Sequence, residues 1–353
     1  MSLTLFHPLR LADLRRETAD CVSLAFDIPP ALRDAFAFAP GQYLTLRTTL
    51  AGQELRRSYS ICSAPHEGEL RVAVKHVPGG AFSHFANTIL SQGDTIEAMV
   101  PEGRFGAPVA DGTYVAIAAG SGITPIMSLL RSVLAGAPAA RFVLLYGSRT
   151  VDEILFRTAL EDLKDRHMGR LTVIHVLSRE AQDIPILTGR LDAPRLRALL
   201  PLTLDPATID HAFLCGPGGM IDDAAQVLAE LGVTPDRVHT ERFTPSGAPV
   251  LRPAPAPEAA PFATATIIYD GKTNTIPMAE GEPVLEAALR AGLDLPWACR
   301  GGMCSTCRAR ITEGAARLEE NFSLEPWELE AGFVLTCQAH PTTAHITVDF
   351  DHV

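Results

Sequence analysis

Four cysteines near the carboxyl end constrain this 353-residue chain more than any other sequence feature. Cys299, Cys304 and Cys307 follow the spacing C-x4-C-x2-C, and Cys337 follows after a long gap. This is a spacing by which four thiolates hold a [2Fe–2S] cluster, for which soft thiolate ligands are well suited. Two glycines between the first two cysteines permit the tight loop that must wrap such a cluster. The sequence therefore predicts these four cysteines as ligands of a [2Fe–2S] cluster.

A zinc site, or thiols that simply pack in a core, are the alternatives for these cysteines. Zinc usually takes its ligands from two short cysteine or histidine pairs, and the observed gap pattern differs from that. Disulfides are not expected, because the chain has 7 cysteines and begins without a secretory leader. These features predict a cytoplasmic protein. No apolar run approaches the roughly 18 residues of a membrane span, so no membrane association is expected.

The charge of the chain is acidic. Its formal net charge is −11, and residues 263–353 carry 13 Asp and Glu against 6 Lys and Arg. Such a balance argues against nucleic acid as a partner. It would attract a basic partner surface toward the cysteine-containing segment, although an acidic balance also serves solubility alone.

Composition shifts divide the chain into three predicted domains and a linker. Residues 244–261 contain six Pro and five Ala, a composition typical of a semi-rigid spacer. A second boundary lies near residues 108–112, where turn residues precede a new apolar run. We therefore predict domains at 1–108, 109–243 and 263–353, with a Pro/Ala-rich linker at 244–262.

Residues 1–107 alternate short apolar runs with turn residues, which predicts an antiparallel β-barrel. The predicted strands are 21–28, 42–48, 58–62, 70–76 and 95–100. At the start of the third of them, in the segment Arg57-Ser58-Tyr59-Ser60, Arg57 can pair with a phosphate, Tyr59 can lie along a flavin, and Ser60 can hydrogen-bond a ring nitrogen. An edge strand with a solvent-facing Arg and Tyr is the alternative interpretation.

The segment from Lys75 to Ser83 strengthens the flavin interpretation. It ends a strand, turns at Gly79 and Gly80, and opens a helix predicted over 82–90. Free N–H groups at a helix start, with Ser83 in the first turn, form an anion site for a pyrophosphate. A simple hairpin turn is the alternative for the two glycines. A phosphate-pairing arginine and this helix start together predict a flavin site.

The next segment alternates strands with helices, which predicts a small doubly wound α/β sheet. Its predicted strands are 114–119, 142–146, 171–176 and 212–215, and its predicted helices are 125–134, 153–165, 193–200 and 221–231. Gly120 and Gly122 let the backbone approach a pyrophosphate, and Pro125 is tolerated in a helix's first turn. Cys215, at the end of the fourth strand, can place a thiol beside a nicotinamide, although a buried structural role is the commoner one for a lone cysteine.

The end of the second α/β strand bears on the choice of nucleotide. Ser148 and Arg149 can accept a 2′-phosphate, and Arg179 at the end of the third strand can contribute. A site for NAD usually has an acidic residue at the end of this strand that binds the ribose 2′-OH. Here the nearest carboxylates, Asp152 and Glu153, lie a few residues further along the chain. The pattern favours NADPH and leaves NADH possible.

Three motifs together resemble the ferredoxin–NADP reductase superfamily. They are Arg57-x-Tyr59-Ser60, Gly120-x-Gly122-x-x-Pro125 and Cys215-Gly216-Pro217, and the order of the domains resembles reductases fused to a plant-type ferredoxin. The resemblance implies a multidomain fold with an antiparallel β-barrel for FAD, an α/β doubly wound nucleotide-binding domain and an α+β ferredoxin-like β-grasp domain.

The resemblance also implies roles for individual residues. It assigns FAD to Arg57, Tyr59, Ser60 and Ser83, with Lys75 and Gly80 in the same segment, and the nicotinamide nucleotide to Gly120, Gly122, Thr124, Pro125 and Cys215. Glu241 and Phe243 resemble a segment beside the flavin ring, where Phe243 either shields the flavin or anchors a domain interface. Ser60, Cys215 and Glu241 are the implied catalytic residues.

Residues 318–326 and 332–339 are similar to the reductase subunits of phenylacetyl-CoA epoxidase complexes. The similarity implies electron transfer from NADPH through FAD and a [2Fe–2S] cluster to a di-iron oxygenase that acts on phenylacetyl-CoA. A flavin must lie between the two other carriers, because a hydride brings two electrons and the cluster accepts one. Two alternatives stay open: the reductase of another aromatic-ring or steroid oxygenase, and a cluster-based redox sensor, which would need an effector region.

Overall fold

The computed structural model describes residues 5–243 and 262–352. The described residues fall into two compact units. The larger comprises residues 8–55 and 59–243, and the smaller comprises residues 262–352 with the short pieces 5–7 and 56–58. Residues 244–261 of the predicted linker lie outside the described residues.

The barrel is formed by six strands. They are β1 (His7–Thr18), β2 (Cys21–Asp27), β3 (Tyr43–Leu50), β4 (Gln53–Ser60), β5 (Leu70–Lys75) and β6 (Thr95–Ala98). Their order is β4-β3-β6-β1-β2-β5, and a bridge between Ile61 and Val72 joins the chain just after β4 to β5. The two edges of the sheet therefore meet, and alternate apolar side chains such as Leu9, Leu11 and Leu24 fill the interior. Helix α1 (Ala81–Thr88) follows β5.

The predicted barrel is confirmed, but two of its strands differ from the prediction. β1 was not predicted, because its charged residues and a register shift between Leu11 and Asp13 interrupt the alternation. β4 begins five residues before the predicted strand, at Gln53. Its first residues are polar and exposed, so hydrophobic alternation gives no signal for them.

The α/β domain is a five-stranded parallel sheet with the order β11-β10-β7-β8-β9. Its strands are β7 (Thr113–Ala119), β8 (Arg141–Ser148), β9 (Leu171–Leu177), β10 (His211–Gly216) and β11 (Val238–Arg242). Its helices are α2 (Ile123–Gly136), α3 (Arg157–Arg166), α4 (Ala193–Thr203) and α5 (Gly218–Glu230). Apolar clusters include side chains from alternate positions of β7, β8 and β10, as expected for a doubly wound sheet. The carboxyl ends of the strands share one edge, which is where such folds bind nucleotides.

The predicted doubly wound α/β sheet is confirmed, but the prediction missed one strand and misplaced the start of one helix. The fifth strand, β11, was missed because its sequence VHTER is polar and reads as a loop. α3 begins at Arg157 and not at residue 153, because Val151–Glu153 forms a short 3-10 turn.

The smaller unit contains a mixed sheet with the order β13-β12-β18-β14-β16 and a small β15-β17 pair. Its elements are β12 (Ala263–Tyr269), β13 (Lys272–Met278), α6 (Val284–Arg290), β14 (Arg308–Glu313), β15 (Ala316–Leu318), α7 (Pro326–Glu330), β16 (Phe333–Leu335), β17 (Ala339–Pro341) and β18 (His345–Asp349). The two central strands β12 and β18 run parallel, and α6 contributes four buried apolar residues to the core. This is the predicted α+β β-grasp arrangement.

The helices are short throughout the described residues. The longest, α2, has 14 residues. In this part of the chain, no helix combines the length and the hydrophobicity that a membrane span requires.

Candidate functional site

The four predicted cluster cysteines lie together in the smaller unit. Cys299, Cys304 and Cys307 are in the loop between α6 and β14, and Cys337 follows β16. The thiols interact in two pairs, because hydrogen bonding with Cys304 lowers the pKa of Cys299 and hydrogen bonding with Cys307 lowers the pKa of Cys337. Thr336 holds the second pair together, since its N and Oγ1 both donate to the carbonyl oxygen of Cys307, at 3.1 and 2.9 Å.

Two pairs of thiols fit a cluster of two irons, each of which takes two cysteine ligands. The pairwise arrangement of the thiols therefore suits the predicted [2Fe–2S] cluster.

Backbone N–H groups of the loop point at the sulfur of Cys299. Gly301 N and Met303 N donate to its Sγ at 3.3 and 3.4 Å. The hydrogen bond with Cys304, together with these donors, lowers the pKa of Cys299 to about 7 despite burial. Gly302 has a φ of +74°, and a Cβ there would lie 3.0 Å from the carbonyl oxygen of Glu320. The loop is thus shaped to favour a thiolate, which is the form that binds iron.

A buried ion pair, which the sequence did not reveal, lies beside the cysteines. Arg308 directly follows Cys307, and its Nε lies 2.7 Å from Oε1 of Glu328, whose side chain is 0% exposed. The guanidinium also lies 3.6 Å from the ring centroid of Phe333. The second carboxylate oxygen of Glu328 accepts a hydrogen bond from the backbone N of Glu325, at 3.0 Å. The ion pair thereby connects α7 to β14, which begins directly after the predicted cluster ligand Cys307.

Replacing Glu328 with Leu should destabilise the smaller unit by about 3–5 kcal/mol, because it removes one partner of a buried ion pair. The only two tryptophans of the chain, Trp297 and Trp327, both lie in residues 263–353. Tryptophan fluorescence in a urea titration therefore follows this module. The exposed residue Glu330 provides a matched control, and Glu330→Leu should change the free energy of unfolding by less than about 0.5 kcal/mol. Equal unfolding midpoints for the two variants would contradict the assignment.

The predicted flavin residues lie on β4 and around the start of α1. Arg57 and Tyr59 are half-buried, and Ser60 is buried. The Tyr59 ring lies 5.4 Å from the ring of Phe82 in α1, centroid to centroid. Arg57 donates from Nη1 to the carbonyl oxygen of Arg56, at 2.7 Å. β4 therefore places an aromatic ring beside the helix start that was predicted to bind a pyrophosphate.

The helix start itself is organised by Ser83. Its Oγ accepts a hydrogen bond from Val77 N at 3.1 Å and donates to Gly80 O at 3.0 Å. A Cβ at Gly80 would lie 2.7 Å from that hydroxyl and 3.1 Å from the carbonyl oxygen of Val77, so a side chain there would displace Ser83 from this position. The Ser83 hydroxyl thus shapes the turn, and the N–H groups of the first helical turn are the groups suited to a phosphate.

Three predicted catalytic residues, distant in sequence, converge in the larger unit. Ser60 Oγ donates to Oε2 of Glu241 at 3.1 Å. Glu241 lies on β11 directly opposite Cys215 on β10. Cys215 is fully buried, and burial, with the charge of Glu241, raises the pKa of its thiol well above the usual range. Phe243, just after β11, packs against the apolar cluster that contains Cys215.

The nucleotide-facing turn is closely packed against these residues. A Cβ at Gly122 would lie 2.1 Å from the carbonyl oxygen of Cys215, so only glycine fits there. The Tyr146 hydroxyl donates to the carbonyl oxygen of Gly120, which has a φ of +56°, at 3.0 Å. Thr124 Oγ1 donates to the carbonyl oxygen of Ser121 at 2.9 Å, and Pro125 lies in the first turn of α2. The geometry suits a backbone that approaches a pyrophosphate at the strand ends.

The predicted 2′-phosphate residues are partly engaged with other groups. Nη2 of Arg149 lies 3.1 Å from Oδ2 of Asp20, and the guanidinium also forms an ion pair with Glu153. Asp20 additionally lies 3.5 Å from Nζ of Lys75. Ser148 is buried, and Arg179 is exposed at the end of β9, where its N donates to the carbonyl oxygen of Arg149 at 2.8 Å. A phosphate at Arg149 would therefore compete with two carboxylates, neither of which was anticipated as its partner.

Comparison with known proteins matches each part of this architecture. Residues 8–106 match the oxidoreductase FAD-binding domain, residues 116–226 the oxidoreductase NAD-binding domain, and residues 267–342 the 2Fe-2S iron-sulfur cluster binding domain. The 1,2-phenylacetyl-CoA epoxidase of Escherichia coli K12 contains a subunit that is 44% identical over 99% of both chains. The ferredoxin reductase component of the 3-ketosteroid-9-alpha-monooxygenase of Rhodococcus rhodochrous is 34% identical over 97% of this chain and 96% of its own.

The fold also matches a solved reductase. Phthalate dioxygenase reductase superposes with a TM-score of 0.60 over 98% of each chain, at 22% identity, which supports the fold alone. The domains and relatives together define an NAD(P)H-dependent flavin iron–sulfur oxidoreductase, with FAD, a nicotinamide nucleotide and a [2Fe–2S] cluster as cofactors.

The chain belongs to the family of phenylacetyl-CoA epoxidase reductase subunits, within the ferredoxin–NADP reductase superfamily. The predicted fold class, family and cofactors are thereby confirmed. Its relatives include reductase components of other oxygenase systems.

Proposed function

We propose that this reductase delivers electrons from NADPH to the di-iron oxygenase that epoxidises phenylacetyl-CoA in phenylacetate degradation. The observation that carries the proposal is the 44% identity to the corresponding epoxidase component over 99% of both chains. A second candidate partner is a steroid oxygenase, favoured by the 34% identity to the reductase component of a ketosteroid monooxygenase. Both candidates require the same three cofactors.

We propose that the chain is divided into four segments, three of which each bind one of the cofactors. The FAD domain is 1–108, the nucleotide domain is 109–243, the linker is 244–262, and the cluster domain is 263–353. The three matched family domains, at residues 8–106, 116–226 and 267–342, each lie inside one of these segments and support the division.

A flavin held by this chain would supply the chemistry that links a two-electron hydride donor to a one-electron iron–sulfur cluster. In our proposal, Arg57, Tyr59 and the N–H groups at the start of α1 bind the flavin. The hydroxyl of Ser60 donates a hydrogen bond to Oε2 of Glu241 at 3.1 Å, which holds the carboxylate beside the buried Cys215. The uncharged thiol of Cys215 keeps water from the strand end, where the Gly122 turn meets it. Cys299, Cys304, Cys307 and Cys337 hold the cluster.

We propose that Arg149 favours NADPH over NADH by pairing with the 2′-phosphate. Arg149→Gln should then raise the KM for NADPH about tenfold, the effect of one lost charge-assisted hydrogen bond, and should leave the KM for NADH unchanged. Initial rates with ferricyanide as electron acceptor measure both constants. Arg157, an exposed arginine of α3 that pairs with Glu161, supplies the matched control variant Arg157→Gln. Equal changes for both nucleotides would contradict this role.

Reconstituted turnover tests the proposed partner. The cluster-loaded protein is mixed with a phenylacetyl-CoA di-iron oxygenase, and NADPH oxidation is followed with and without phenylacetyl-CoA. We expect oxidation that depends on the acyl-CoA and forms an epoxidised product. If NADPH still reduces the flavin and the cluster while no electrons reach this oxygenase, the partner is wrong and the steroid oxygenase becomes the next candidate.

A further inference from the structure

Gln338 occupies a fixed position directly after the predicted ligand Cys337. The residue is 8% exposed. Its backbone N donates to the carbonyl oxygen of Leu335 at 2.8 Å, and its own carbonyl accepts from Glu319 N at 3.0 Å. Both backbone groups of Gln338 are therefore hydrogen-bonded, which fixes its main chain and the direction in which its side chain leaves it.

The side-chain amide of Gln338 reaches both parts of the cysteine site. Its Nε2 lies 2.9 Å from the carbonyl oxygen of Arg300 and 3.6 Å from Sγ of Cys337. Arg300 is the residue after Cys299, and it adopts a φ of +55°, a conformation that is uncommon for a residue with a side chain. One amide thus joins the loop of the first cysteine pair to a sulfur of the second pair.

The two contacts account for both N–H bonds of the amide, because a glutamine NH₂ has two donors. A Cβ at Gly302 would lie 3.4 Å from Cγ of Gln338, an ordinary van der Waals distance, so the cysteine loop lies directly beside this side chain. One N–H of the Gln338 amide is held by the carbonyl oxygen of Arg300. Because the amide is planar, turning the other N–H away from the sulfur of Cys337 would break the hydrogen bond to Arg300.

An N–H group aimed at a ligand sulfur changes the reduction potential of an iron–sulfur cluster. Reduction adds a negative charge, and a donor stabilises the more negative state more strongly. We infer that Gln338 is a positioning residue that raises the reduction potential of the cluster through Cys337 while it holds the Arg300 carbonyl. This inference rests on the proposed ligand set Cys299, Cys304, Cys307 and Cys337.

Redox titration of the full-length protein, followed by the electron paramagnetic resonance signal of the reduced cluster, tests the inference. Gln338→Leu removes the donor and keeps an apolar side chain of similar volume. We expect its reduction equilibrium to shift about tenfold toward the oxidised state, which corresponds to about 59 mV for one electron. Gln338→Glu is isosteric and adds a negative charge in place of the donor, so it should shift the equilibrium further in the same direction.

Asn321 provides the matched control, because its Nδ2 donates to the carbonyl oxygen of Leu324, at 3.0 Å. Asn321→Leu also loosens a loop that contacts the cysteine loop, and it should leave the potential unchanged. If either Gln338 variant retains the cluster at the wild-type potential, the amide is merely structural and the inference is wrong. If the wild-type protein lacks the reduced-cluster signal, the proposed ligand set fails first, and the inference fails with it.

Discussion

Cys304→Ser should abolish electron delivery to the oxygenase while flavin reduction by NADPH continues. Cys304 forms a hydrogen-bonded pair with Cys299 and is one of four predicted iron ligands. A serine hydroxyl is a harder ligand that stays protonated at neutral pH, so it is poorly suited to an iron–sulfur cluster. Changes around metal ligands alone cost about 10–100-fold, so we expect loss of a ligand to lower oxygenase-coupled turnover by at least about 100-fold.

The measurements for this variant separate the two parts of the electron path. Visible absorbance and electron paramagnetic resonance report the cluster, and NADPH-dependent ferricyanide reduction reports the flavin. Cys62→Ala is the matched control, because Cys62 is a buried cysteine of the larger unit whose Sγ donates to the carbonyl oxygen of Arg71. That variant should keep the cluster. Retention of both cluster and coupled turnover in Cys304→Ser would overturn the ligand assignment.

Gly122→Ala should slow flavin reduction by NADPH about 100-fold. The new Cβ would lie 2.1 Å from the carbonyl oxygen of Cys215, 2.5 Å from its carbonyl carbon and 2.8 Å from Gly216 N. All three are backbone atoms, so the start of α2 and the end of β10 must move apart. A displacement of about 1 Å in a group that positions a substrate can cost about 100-fold in rate.

Stopped-flow measurement of flavin absorbance, at several NADPH concentrations, tests this effect. Gly219, in the first turn of α5, is the matched control, because a Cβ there meets nothing within 4 Å. Gly219→Ala should leave the rate unchanged and stabilise its helix by up to about 1 kcal/mol. Wild-type flavin reduction in Gly122→Ala would show that the turn tolerates the displacement and that our account of this site is wrong.

Much of the chemistry could be predicted from local sequence. The spacing of the cysteines indicated a [2Fe–2S] cluster, because the loop between Cys299 and Cys307 is short enough for its own residues to determine it. Gly120 and Gly122 indicated a nucleotide-binding turn for the same reason. The barrel and the parallel sheet followed from hydrophobic periodicity wherever one or both faces of a strand are buried. Periodicity missed β11 and misplaced the start of β4, where strands are polar.

The pairing of side chains that are distant in sequence was decided by the tertiary structure. Ser60 meets Glu241 because β11, which has no local signal, pairs with β10 at the edge of the sheet. Asp20 engages Arg149, and that carboxylate follows a strand, β1, that was not predicted.

The cysteine site likewise combines features predictable from local sequence with contacts that only the tertiary structure reveals. Its predicted ligands followed from spacing alone, whereas the buried Arg308–Glu328 pair and the amide of Gln338 beside Cys337 had no signal in the sequence. A hydrogen bond depends on distances of a few tenths of an ångström, and strand order, register and packing set those distances between remote residues. The sequence by itself therefore determined which cofactors this protein binds, and only the tertiary structure decided which side chains surround them.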